Sequence, residues 1–185
     1  MFSSLLIRLG GLAAMVGGVP VLVLWISVEG DWAGSPLAIP ATHLSMVGTM
    51  VVIVSLHALQ RGYYGLLGAV ASLVAFVGLA MYLVGAGVAY ARDDFWLAFR
   101  DTTFLVVLGL LLSTGGLIAL GIVTITAGVL PWWCGAALIA GNPILGFFFG
   151  DLLGAGWLWG VPWLVVGFAV FQAAGRRTEQ SPRVR

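Results

Sequence analysis

The chain has 185 residues, of which 61% are hydrophobic and 8% charged, with a net charge of +1 and a mean hydropathy of +1.10. A soluble domain carries about 25% charged residues, so fifteen charges cannot clothe a water-facing surface of this length, and the exterior must meet lipid. In hydrocarbon the backbone has to close its own hydrogen bonds as helix or barrel. The long unbroken apolar runs exclude the alternation of a barrel strand and predict an all-α integral membrane bundle.

A helix crossing the bilayer needs about 20 apolar residues. Six segments meet that length: about Leu5–Ser27, Ala41–Leu59, Tyr64–Tyr90, Thr102–Ile125, Trp132–Gly150 and Gly156–Ala174. The first is too long for a signal-peptide core and is read as a span. Residues 1–175 form one transmembrane domain, and 176–185 a basic, disordered tail held near anionic lipid heads, where each Arg contributes about 1 kcal/mol.

Arginine placement sets the expected orientation. With the N-terminus inside, Arg8, Arg61, Arg176, Arg177, Arg183 and Arg185 lie on the cytoplasmic side, and Arg92 and Arg100 outside. Glu29, Asp31, Asp93, Asp94, Asp101 and Asp151 also fall outside. Trp25, Trp32, Trp96, Trp157 and Trp159 are expected near the outer interface, and Trp132 and Trp133 near the inner one. Both termini are therefore expected in the cytoplasm of a cell bounded by a bacterial plasma membrane. "GLLGA" at Gly65–Ala69 and "DLLGA" at Asp151–Ala155 form a faint internal echo of the kind inverted repeats leave.

The segment "AGVLPWWCGAALIAG" (Ala127–Gly141) resembles a group of uncharacterised small multi-pass membrane proteins of actinobacteria. The shared features are a Gly-Val-Leu-Pro turn, a bulky pair and a small-residue helix. That pattern has Arg near the turn, where this chain has Ala127 and Trp132. The resemblance implies a bacterial integral membrane protein and carries no activity.

Four features invite a functional reading. The first is the charged stretch from Arg92 to Asp101. It reads as a short amphipathic helix in the outer interface, with Asp101 and Thr102 capping the fourth span. The alternative is an acidic mouth for a cation built from Asp93, Asp94 and Asp101. The second is the pair His43 and His57, fourteen positions apart on the second span. At the helical period they fall within about 40° of one face and about 21 Å apart along the axis. That spacing is similar to the helices of di-haem cytochromes b, and haem is the one cofactor it suggests. A second axial ligand for each haem would have to be Met or come from another copy, so membrane-end histidines bonded to helices or water are the plainer reading.

The third feature is broken helices. Pro20, Pro143 and Pro162 are expected to interrupt the first, fifth and sixth spans, and Asn142 beside Pro143 is the most polar residue well inside one. Freed backbone groups and Asn142 would make a solute contact if they line a cavity. The fourth is the small-residue pattern of Gly146, Gly150 and Gly154, and of Gly156 and Gly160. It suits close helix packing within the bundle or in a homo-oligomer.

No Asp, Glu, Lys or Arg falls mid-span, where ion-coupled carriers usually place one. No nucleophile–base pair or phosphate-binding loop is visible, and no basic aromatic surface for nucleic acid. The sequence therefore favours a non-enzymatic accessory or scaffolding subunit in the bilayer, with a membrane-protein partner or a homo-oligomer. A small-solute carrier or channel-like protein and a haem-binding electron-transfer protein are the alternatives.

Overall fold

The computed structural model describes the backbone of residues 4–27, 38–90, 95–147 and 159–180, and side chains within 4–23, 40–88, 101–145 and 159–175. The described residues form seven helices: α1 (Ser4–Ser27), α2 (Ala38–Gln60), α3 (Gly65–Tyr90), α4 (Phe95–Ala127), α5 (Trp132–Ala140), α6 (Pro143–Phe147) and α7 (Gly160–Gln180). There is no strand among them. Four helices are long and apolar enough to cross a membrane, over Ser4–Val23, Pro40–Gln60, Gly65–Val88 and Asp101–Ala127.

Two of the six expected spans are not single membrane-length helices. The fifth is interrupted at Pro143, as expected. Gly141, Asn142 and Pro143 divide it into α5, with 9 residues, and α6, with 5. The sixth is the apolar stretch Gly160–Gly175, about 24 Å at the helical rise and short of a ~30 Å hydrocarbon core. Residues 148–158 lie outside the described set.

A departure from expectation concerns the charged stretch. Phe95 already belongs to α4, so Asp101 and Thr102 lie two turns inside that helix and do not cap it. α4 has 33 residues, about 50 Å of helix, which exceeds the core. Its first turns stand beyond the apolar window that begins at Asp101 and take in Arg100; residues 91–94 lie outside the described set.

α1 packs between α2 and α7, α3 pairs closely with α4, and α5 bridges α4 and α7. Hydrophobic burial does little to associate helices that already sit in lipid; close van der Waals fit does more. Here glycine supplies the fit. Gly10 and Gly17 of α1 meet Ser55 and Leu44–Ser45 of α2, while their neighbours Gly11 and Gly18 meet α7. A Cβ on Gly11 would stand 2.6 Å from the Gly167 carbonyl oxygen, and one on Gly18 2.9 Å from that of Gly160. Gly78, Gly109 and Gly116 close α3 on α4 in the same way, and Gly121 meets Gly135 between α4 and α5.

One end of the bundle gathers the arginines. Arg8 lies over the Phe171 ring, 5.8 Å from its centroid. Leu59 and Tyr63 at the end of α2 share a cleft with the α4–α5 turn and with Gln172 and Ala173 of α7. Arg61 stands exposed at the same end. This arginine face also carries both tight turns, Arg61–Tyr64 and Gly128–Pro131. Gly128 has φ +64° and Gly65 φ +59°, the left-handed backbone that glycine adopts without a Cβ clash. Trp132 and Trp133 are exposed beside the second turn. The outward faces are aliphatic: Leu5, Leu9, Leu12 and Val16 on α1, Leu66, Val70, Leu73 and Val77 on α3.

Candidate functional site

The most chemically connected group in the described bundle lies where α2 turns into α3. Arg61 N–H still bonds to the His57 carbonyl at 2.9 Å, and Tyr63 N–H to that of Gln60 at 2.8 Å. This tight reversal folds Tyr64 back toward both helices. Its ring lies against Gly68, where any Cβ would strike it. Its hydroxyl lies 2.9 Å from His57 Nδ1 and 3.4 Å from Ser72 Oγ. Ser72 Oγ donates to the Gly68 carbonyl at 2.8 Å.

Proton counting orders this chain. Ser72 has one hydroxyl proton, committed to Gly68. Tyr64 has one, and the shorter contact is to His57. We assign Tyr64 as donor to Nδ1, which places the imidazole proton on Nε2 and makes that nitrogen a donor toward a second partner. Burial pushes the Tyr64 phenol above its ordinary value.

Beside this chain is a groove of about 320 Å³ lined by Ile53, Val54, His57, Ala69, Ser72, Leu73 and Phe76. The lining is almost wholly apolar. Val54 and Leu73 are themselves exposed, so the groove opens on the outer surface between α2 and α3. A second cleft, of about 410 Å³, lies at the arginine face between the α4–α5 turn and α7.

His43 and His57 do share the side of α2 that meets α3. A Cβ on Gly87 would lie 3.7 Å from His43 Nε2, toward the end opposite His57. The residues lining the groove at His57 include no second His, Cys or Met; a far-side ligand for haem would have to come from elsewhere in the chain or from another copy. Among the described residues no three His, Cys, Asp or Glu side chains cluster as metal ligands would.

Asn142 is fully buried and holds the break between α5 and α6. Its Nδ2 donates to the Ile139 carbonyl at 2.6 Å, and its Oδ1 accepts the Leu145 N–H at 3.0 Å. That is an N-cap for α6, with Pro143 at the first helical position. Trp159 donates from Nε1 to the Gly141 carbonyl at 3.0 Å, which ties the start of α7 to the α5–α6 break. Pro162 is the third residue of α7 and packs by Gly141 rather than breaking a helix; Pro20 lies inside the continuous α1. Asp93 and Asp94 lie outside the described residues, and Asp101 is exposed on α4. Gly160 is consumed against Gly18 inside the bundle.

Sequence reasoning missed Tyr64 and Ser72. Tyr64 sits between two apolar runs, and only the turn's closure brings its hydroxyl to His57. Comparison with protein-family models, with curated proteins and with solved structures gives no match.

Proposed function

We propose that this chain is a non-enzymatic accessory or scaffolding subunit of a bacterial plasma membrane, with its arginine face toward the cytoplasm. The supporting observation is where the polar side chains of the spans spend their bonds. Thr49 donates to Ser45, Ser55 to Val51, Ser72 to Gly68, Ser113 to Leu110 and Thr126 to Val123, each a carbonyl of its own helix. Asn142 likewise bonds to backbone on either side. Hydroxyls spent this way do not make a ladder of solute contacts across the bilayer. Glycine-paired helices give a fixed frame, which suits a subunit that holds a partner in place.

The test is to isolate the chain from native membranes in lipid nanodiscs and, separately, as the purified chain in vesicles. The reading expects a stoichiometric membrane-protein companion in the first preparation and tight vesicles in the second. Solute flux through the pure chain would replace it with the carrier reading. A Soret band that sharpens on reduction and vanishes in His57→Ala would replace it with the haem reading.

A further inference from the structure

We propose that the groove between α2 and α3 binds one anionic glycerophospholipid. An acyl chain lies along Ile53, Val54, Leu73 and Phe76, an ester carbonyl accepts from His57 Nε2, and Arg61 meets the phosphate. The inference rests on the membrane setting alone and not on the accessory role.

Four observations select this occupant. The groove is apolar along its length and polar at the His57 edge, the distribution of an amphipathic guest. At about 320 Å³ it is at the lower end of ligand pockets, with room for one chain segment rather than a whole lipid, and its open side leaves the rest outside. Its mouth is formed by exposed Val54 and Leu73, so what reaches it comes from the bilayer. The donor order also fits. With Tyr64 taken as donor to Nδ1, His57 presents an Nε2–H donor to an acceptor oxygen.

Beyond His57 the chain adds charge in the right direction. Arg61 follows one turn on, with its N–H on the His57 carbonyl, about 6 Å farther along the axis. It is exposed at the arginine face, and exposed Tyr63 marks the interface beside it. Apolar groove, imidazole donor and cation thus occur in the order of chain, ester and phosphate along a glycerophospholipid. Guanidinium–phosphate bonds are among the stronger hydrogen bonds.

The test titrates dioleoyl phosphatidylglycerol into the delipidated full chain in mild detergent and counts bound lipid by native mass spectrometry. The wild type is expected to retain one lipid. His57→Phe and Arg61→Gln should each raise the lipid concentration needed by about tenfold, and His43→Phe, at the other end of α2, should not. Leu73→Trp plugs the mouth from an exposed position, so it should lose the lipid with its unfolding temperature unchanged. Retention by Leu73→Trp, or by the His57→Phe/Arg61→Gln double variant, would overturn the site. Equal binding of uncharged dioleoylglycerol would overturn the phosphate contact. An isoprenoid quinone that displaces the lipid, with dependence on His57 but not Arg61, would assign the groove to a quinone instead. A chain recovered outside the membrane fraction would sink the membrane setting before any titration.

Discussion

At the scale of single residues, three polar side chains decide how the buried interior is satisfied, and each makes a different prediction. Tyr64 is desolvated by burial, which holds its phenol above the ordinary value of 10.0. A raised folded value means that its contribution to stability is complete below pH 10 and is lost as the pH rises through the folded value. Ultraviolet titration should therefore show a late phenolate component that Tyr64→Phe removes; an unchanged titration curve would contradict the burial. Asn142 serves two backbone groups at a helix break, so Asn142→Ala should cost about 1–2 kcal/mol in SDS unfolding. Asn142→Asp keeps the acceptor and loses the donor, and should fall between. Gln60 is fully buried, and neither carboxamide atom finds a hydrogen bond among the described residues. Gln60→Met keeps the shape and removes the desolvated groups, and should stabilise the bundle by about 1 kcal/mol. A loss of stability would reveal a partner for Gln60.

At the scale of helices, the argument turns on which glycines are needed. The adjacent pairs Gly10–Gly11 and Gly17–Gly18 recur at seven residues, so one member of each pair faces α2 and the other α7. Gly160 and Gly167 repeat the interval on α7, and the antiparallel match brings Gly11 to Gly167 and Gly18 to Gly160. Gly11→Ala must separate two backbones and should cost about 1–3 kcal/mol. Gly115 sits in α4 with nothing within 4 Å of an added Cβ. Gly115→Ala should be neutral or stabilising by up to about 1 kcal/mol from helix propensity. Equal effects in an unfolding assay would refute the packing.

The apolar runs of α1 to α4 were legible in the sequence, because span length and apolar content follow directly from bilayer thickness. The doubled glycines of α1 were not singled out, because their use depends on which helices lie beside them. The start of α4 was not legible, since charged residues end an apolar window without ending a helix. The break at Gly141–Pro143 was legible in Asn-Pro, since proline cannot continue the helix's hydrogen bonding. Of the candidate site, His57 stood out by residue type. Its partners did not, because a hydrogen bond across a turn depends on the turn's closure and not on any period.

At the scale of the molecule, orientation is the property on which lipid choice and partner choice both depend. Arg8 and Arg61 lie at one end, and the last turns of α7 carry Arg176 and Arg177 toward it. The proposed orientation, with that end in the cytoplasm, follows the positive-inside rule, since arginine close to span ends resists translocation. Single-cysteine labelling reads this directly, and the fold simplifies it: the native Cys134 is fully buried and should stay silent toward a polar maleimide. Asp94→Cys should react in intact cells, and Thr178→Cys only after the membrane is permeabilised. The reverse pattern would invert the bundle and place the His57 groove in the outer leaflet. There the anionic lipids that enrich a cytoplasmic leaflet would no longer be its neighbours, so the same two labelling reactions also bound the lipid proposal.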